Sequence, residues 1–209
     1  PNTGSDGDGF RLAGQFGHRI VTPVPALAAV CCEEKFFRQV AGVRCDAVLT
    51  LLASGQTVGR ERGELQLTDY GLSGIPAFQL CRTAAYALLG KERVTVRLSF
   101  LPDFDEMSCG LFFSERLKMH GEDEMDVFLT GIVNKKINRL LLKLAGIRET
   151  QRAKDVSAEA FHRLQKLYLG LETVVTGTNG FDRAQVCAGG VDCSEVTQNL
   201  MSKKQPGLY

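Results

Sequence analysis

Between Asp103 and about Tyr168 the chain carries helical periodicity alone, and the stretches on both sides are patterned as strands. The helices therefore read as an insertion between strands of one sheet or barrel. Within the insertion, Phe104 to Met119 is one predicted helix. Asp126 to Ala145 is the clearest, with Leu129, Val133, Ile137, Leu140 and Leu144 recurring every three to four residues. Glu122, Asp123 and Glu124 at its start and Lys143 near its end match the helix macrodipole. Gly146 ends it. Ser157 to Ala160 reads as a capping region for a third helix that runs to Tyr168 with Phe161, Leu164 and Leu167 inward.

On the amino-terminal side, Arg44 to Leu51 and Thr57 to Leu67 flank the turn Ser54-Gly55-Gln56, a hairpin signature. Gly71-Leu72-Ser73-Gly74 precedes a helix that opens on Ile75-Pro76, where proline's missing N–H costs nothing, and stops at Gly90. Val94 to Phe100 is a strong strand closed by Pro102. Before the hairpin, Phe10 to Phe16 is a short helix begun near Asp8, Arg19 to Val21 a strand, and Leu27 to Cys32 β-compatible. On the carboxy-terminal side, Leu171 to Thr176 and Ala184 to Ala188 are strands, with Thr178-Asn179-Gly180 a turn and Gly189-Gly190 a stop.

The chain has 209 residues, 44% of them hydrophobic, enough for a substantial core. Its 25 basic and 24 acidic residues leave a net charge of +1, which gives no general attraction to nucleic acid or anionic membrane. No apolar run approaches the roughly 20 residues of a membrane span, and no signal peptide is visible. Seven Cys without a Cys-x-x-Cys spacing read as reduced thiols of a cytoplasmic protein, with a redox pair of Cys187 and Cys193 as the lesser reading. The chain opens on Pro1-Asn2-Thr3 and closes on Leu208-Tyr209, which resembles the start of a strand. A trimmed piece of a longer protein is expected.

Motifs for chemistry are sparse. His18, His120 and His162 stand in no zinc pattern and beside no evident nucleophile. There is no Gly-x-Ser-x-Gly elbow and no Gly-Lys-Ser/Thr phosphate loop. The acidic run Glu122-Asp123-Glu124-Asp126 lacks an EF-hand frame and reads as a solvated helix start. Lys135, Lys136, Arg139 and Lys143 form a basic helix face, the feature behind a rival reading of the chain as a non-enzymatic protein- or nucleic-acid-interaction module using residues 135–143. The opening Thr3-Gly4-Ser5-Asp6-Gly7-Asp8-Gly9-Phe10 is more informative. Glycines let backbone N–H groups approach an anion or a planar ring, and a helix start follows directly. Gly189-Gly190-Val191 makes a second site of close approach.

Taken together, four segments resemble the aminoacetone-oxidase-like (YhiN/BaiN-type) FAD-dependent flavoproteins. The first is the opening loop with Pro1, Thr3, Gly4, Ser5, Gly7, Asp8, Gly9 and Phe10. The second is Thr68, Gly71, Leu72, Ser73 and Gly74, although Asp69 stands where many relatives have His and the proline falls one place late at Pro76. The third is Gly177-Thr178, Gly180-Phe181, Ala184, Val186 and Gly189-Gly190-Val191. The fourth is Met201-Ser202-Lys203 with Pro206 to Tyr209.

The resemblance implies an α+β fold: a β-barrel-like domain with an inserted all-helical subdomain, plus short remnants of a split Rossmann-like FAD domain at both termini. Residues 1–27 would be one remnant and 190–209 the return segment. The barrel would use 28–102 and 169–189, and the helices 103–168. It further implies an NAD(P)- and FAD-dependent oxidoreductase in which Pro1, Thr3, Gly4, Ser5, Gly7, Asp8, Gly189, Gly190 and Val191 lie along the flavin. Thr68 to Gly74 would be a further barrel-to-flavin contact, and no catalytic acid or base can be named. The partner would be the FAD-binding domain of the same parent chain, with a small-molecule substrate; membrane is excluded and nucleic acid disfavoured. The family's dinucleotide fingerprint and its Phe-Ala-Gly-Glu segment are not in these residues. FAD is therefore expected in the parent protein and not tightly on this piece, which is expected to be inactive alone.

Overall fold

In a computed structural model, which describes residues 4–209, the period-two stretches pair into sheets and the insertion folds as helices. Chain order runs α1 (Asp8–Gln15), β1 (Ile20–Ala26), β2 (Val30–Cys32), α2 (Phe37–Val40), β3 (Arg44–Ala53) and β4 (Gln56–Leu67). Then come β5 (Gly71–Gly74), α3 (Ile75–Leu89), β6 (Val94–Ser99), α4 (Glu106–His120) and α5 (Met125–Phe128). The chain continues with α6 (Lys135–Ala145), α7 (Ala158–Gly170), β7 (Leu171–Thr178) and β8 (Val186–Val191).

Six strands close into an antiparallel barrel in the order β2-β5-β4-β3-β6-β7. The expected hairpin is β3–β4, turned by Ser54 and Gly55. Closure depends on β5, a segment that reads in the sequence only as a lead into a helix. Four residues are too few to show a period, and their glycines are there for space. A Cβ on Gly71 would lie 2.3 Å from the Val30 carbonyl oxygen of β2, and Gly71 holds φ at 148°. The helix α3 lies against β4 through small residues. A Cβ on Gly59 would lie 2.7 Å from a methyl of Leu80.

The helical insertion leaves the barrel after β6 and returns through α7 into β7. Its aromatic centre joins the barrel core in one continuous apolar cluster. Phe113 packs 5.7 Å from Phe161, edge to face, and 5.5 Å from Tyr168. The expected single helix from Asp126 to Ala145 does not hold; the stretch divides into α5 and α6. Gly131, at φ 85°, reverses the chain between them, and the Asn134 side chain accepts from the Lys136 N–H as the cap of α6. The carbonyls left over at the break are met from inside the core. Asn138, 4% exposed, donates its amide to the Leu129 carbonyl at 2.8 Å, and its own oxygen accepts from the Tyr168 hydroxyl at 2.6 Å.

The remaining strands do not enter the barrel. β1 and β8 form a separate antiparallel ribbon, Ile20 opposite Val191 and Ala26 opposite Val186. Gly189-Gly190 does not stop β8, which runs through both glycines at φ 101° and 109°. Among the described residues, no helix is long and apolar enough to cross a membrane.

Candidate cofactor cleft

The two ends of the chain meet on the β1–β8 ribbon. α1 lies across it, and the Phe10 ring fills the space beside Gly190, where a Cβ would lie 2.8 Å from the ring. Gly189 is held as tightly from the other strand, where a Cβ would meet the Thr22 carbonyl oxygen at 2.7 Å. The segment after β8 is tied back by charge. The Arg19 guanidinium reaches the Asp192 carboxylate through Nε at 2.7 Å. The Ser194 backbone N–H first, and then Arg19, hold the Asp192 carboxyl down at about 2.

His18, 7% exposed, sits at the centre of this junction. Its Nδ1 lies 3.1 Å from Glu195 Oε2 and its Nε2 2.7 Å from Ser202 Oγ. The sequence placed no histidine beside a nucleophile; the fold brings one from 184 residues away. A carboxylate can only accept, so Nδ1 carries the proton and Nε2 accepts from the serine hydroxyl. Ser202 Oγ also accepts the backbone N–H groups of Lys204 and Gln205, at 3.1 and 2.9 Å. With one proton donated and both lone pairs engaged, this buried serine is a latch between the chain ends, without the free lone pair of a nucleophile. Lys204 Nζ closes the network on Glu195 Oε1 at 2.7 Å, and that lysine is the leading cause of the lowered Glu195 pKa.

The loop before α1 opens a cleft of about 780 Å³ lined by Ser5, Asp6, Gly7, Phe10, Phe181 and Cys187, with Asp182 as a second carboxylate in its wall. Gly4 and Gly7 hold φ at 91° and 88°, and a Cβ on either would meet no atom within 4 Å. Asp8 starts α1 and pairs with Arg11 at 2.9 Å. Of the residues expected along a flavin, Ser5 and Gly7 line this cleft, Gly4 and Asp8 flank it in the same loop, and Pro1 and Thr3 lie outside the described residues. Gly189 and Gly190 are engaged by β1 and Phe10, and Val191 lines an apolar hollow with Leu12, Phe16 and Leu200. None of residues 68–74 lines the cleft. Thr68 Oγ1 donates instead to the Gly71 carbonyl at 3.0 Å, bracing the barrel wall.

The barrel and helical insertion match, over residues 24–186, a family model described as the HI0933-like protein barrel and H2TH domain. The chain belongs to that family. It is 38% identical over 207 residues to the 3-dehydro-bile acid delta(4,6)-reductase of Clostridium scindens, covering 99% of this chain and 51% of that protein. It is 27% identical over 213 residues to the ribosomal RNA dihydrouridine synthase of Escherichia coli, covering 100% of this chain and 50% of that one. The protein of the same name from Haemophilus influenzae is 22% identical over 212 residues, 49% of its length. The chain thus spans about half the length of the curated relatives it matches. The YhiN/BaiN-type resemblance in the sequence holds, and this HI0933-like chain is a member of a flavoprotein oxidoreductase family.

The sequence did not signal the ribbon or its latch. Arg19 and Asp192, His18 and Ser202 carry no local pattern, because their relation exists only once 170 or more residues have folded between them. The basic face also changes in the fold. Lys135 pairs with Asp126 at 2.7 Å and Arg139 with Glu149 at 2.9 Å, so half of the expected face is neutralised.

Proposed function

We propose that this chain is the substrate-side part of an FAD-dependent reductase, and that the body formed by α1, the β1–β8 ribbon and residues 192–209 belongs to its FAD-binding domain. The observation that carries the reading is the open cleft at the Gly4–Asp8 loop, where left-handed glycines leave room for a flat ligand to approach the backbone. The residues fit one part of FAD and not the whole. Glycine backbone, the Phe10 ring and the start of α1 suit the ring system. Asp6 and Asp8 would repel a pyrophosphate, whose grip needs the glycine turn and helix of a βαβ unit. FAD, when bound, supplies the hydride chemistry. The chain's own residues place the ring along the 4–8 loop, with the ribbon glycines Gly189 and Gly190 and Val191 behind it, and the barrel covers the substrate from water.

The rest of the FAD domain is the proposed partner. It would cover the apolar face of Leu12, Phe16, Leu200 and Tyr209, which are 48%, 49%, 71% and 79% exposed. The names of the relatives describe saturation of a ring carbon–carbon double bond, in a keto steroid and in the uracil of an RNA. The proposed reaction is reduction of such a bond conjugated to a carbonyl, with a reduced nicotinamide as the source of electrons. Seven free thiols suit a cytoplasmic setting.

The test has two arms. The 209-residue chain, titrated with FAD and followed by flavin fluorescence or calorimetry, should leave the flavin free. The full-length enzyme should purify yellow and lose its flavin when Gly7→Val blocks the loop. A tight complex with the chain alone would contradict the division of labour, and a colourless full-length protein would contradict the function.

A further inference from the structure

The cleft at the Gly4–Asp8 loop carries charge of one sign. Two carboxylates stand in its wall, Asp6 and Asp182, and among the described residues no Lys, Arg or His lines it. Arg11, on the helix that follows the loop, is paired with Asp8 at 2.9 Å, and Arg183, next to Asp182 in sequence, is not in the lining. The start of α1 adds about half a positive elementary charge, which the Asp8 carboxylate in its first turn offsets.

The local fold sets these groups in place. Asp6 Oδ1 accepts the Asp8 backbone N–H at 3.0 Å, which ties that carboxylate to the loop. Gly180, at φ 73°, turns the chain into the 3-10 turn Phe181–Arg183, and the turn brings Phe181 and Asp182 to the cleft wall. Gln185, also in the lining, is anchored by its backbone N–H to the Leu27 carbonyl at 3.4 Å, and its exposed side chain makes no hydrogen bond among the described residues. The side-chain donors of the cleft are therefore all uncharged: the Ser5 hydroxyl, the Gln185 amide and the Cys187 thiol. At about 780 Å³ the cleft is of a size that encloses a whole ligand, and the Phe10 and Phe181 rings suit a flat one.

We propose that this cleft selects its substrate by charge: the ring presented to the flavin carries no anionic group near its reacting bond, Asp6 and Asp182 reject rings that do, and the Gln185 amide donates to the carbonyl oxygen. The inference rests on the reductase reading for the reaction, but the charge preference it asserts does not need the flavin. A carbonyl oxygen gains negative charge as the double bond conjugated to it is reduced, and a donor already facing it stabilises that charge. In a cleft without cations an amide is the donor for that task. A ligand that brings its own negative charge meets two carboxylates and no counter-ion. At about 6 Å in a medium as polar as water, each carboxylate weakens its binding about threefold, and the two together about tenfold. Salt screens the effect, because the Debye length falls from about 30 Å at 0.01 M to about 3 Å at 1 M.

The experiment compares chromone-2-carboxamide with chromone-2-carboxylate, two flat carbonyl rings of one shape that differ by a charge. Their affinities for the full-length enzyme are read from the broadening of their own proton resonances, at about 0.01 M and about 1 M salt. The carboxamide should bind about tenfold tighter at low salt, and the ratio should fall below about twofold at high salt. D6N/D182N keeps the side-chain oxygen that accepts the Asp8 N–H and should bring the low-salt ratio below about threefold. E115Q/E122Q makes the same change in net charge at exposed positions of the helical insertion and should leave the ratio near the parent's. Q185L should weaken the carboxamide about two- to tenfold, the worth of one hydrogen bond. Equal binding of the two probes by the parent, tighter binding of the carboxylate, the same shift in both double variants, or parent-like binding by Q185L overturns the proposal. A colourless enzyme that keeps the preference removes the reductase reading and leaves this one, and a yellow enzyme without the preference does the reverse.

Discussion

Asn138 is the residue on which the helical insertion turns, and replacing it tests why the stretch from Asp126 to Ala145 is two helices. Its side chain makes three contacts in the core: to Leu129 O at 2.8 Å, to Val133 O at 3.3 Å and from Tyr168 Oη at 2.6 Å. Tyr168 is fully buried, and burial is the first cause of its raised pKa, so its hydroxyl has no access to water as a substitute. No buried side-chain nitrogen or oxygen among the described residues lacks a partner. Tyr168→Phe strands one acceptor, Asn138 Oδ1, at a cost of about 1–3 kcal/mol. Asn138→Leu strands the phenol and removes the donor to two carbonyls; about 2–5 kcal/mol is expected, since the Val133 contact is long. In a domain of this size that is a fall of roughly 4–20 °C in Tm. Because the tyrosine and asparagine satisfy each other, the double variant should cost less than the sum of the two by about 1 kcal/mol or more. Urea unfolding of the four proteins measures the cycle. Additivity within about 0.5 kcal/mol, or an Asn138→Leu cost below that of Tyr168→Phe, would refute the account.

Two further outcomes follow from other parts of the fold. Gly71→Ala should prevent barrel closure, since its methyl would stand 2.3 Å from the Val30 carbonyl oxygen, whereas Gly177→Ala, with nothing within 4 Å, should fold; circular dichroism and gel filtration separate the two. The Asp192 carboxyl, held at about 2 in the fold against about 3.9 in an unfolded chain, contributes stability that is complete above the higher value and is lost as pH falls towards the lower one. The protection factors of the Val186–Val191 amides, measured against their intrinsic exchange rates at each pH, should therefore fall between about pH 4 and pH 2, and Asp192→Asn should remove that component of the pH dependence.

The fold class was legible because each of its two halves repeats a period. In the hairpin β4 alternates along most of its twelve residues while β3 starts in alternation and turns apolar from Ala47, and α7 shows a cap followed by an apolar stripe. Elements shorter than a period were not legible. β5 has four residues and α2 one turn, and each exists because its neighbours supply the missing hydrogen bonds and apolar contacts. The break before α6 was hidden for a related reason. The apolar spacing through Leu129 and Val133 continues across it, while the Asn138 amide that satisfies the interrupted backbone is a polar residue on an apolar face, which a period cannot register.

The candidate site divides along the same line. The glycine loop at residues 4–9 and the pair Gly189-Gly190 stood out in the sequence, because a position that needs φ above zero or a bare Cα leaves a glycine behind. What the sequence by itself determined was therefore the local grammar: strand, insertion, strand, and the glycine turns at both ends. Only the tertiary structure decided that β1 and β8 leave the barrel to form their own ribbon, that His18 meets Glu195 and Ser202, and that two of four basic residues on α6 are neutralised. Hydrogen bonds and ion pairs act over a few ångströms of space and are indifferent to separation along the chain, so no spacing in the sequence announces them.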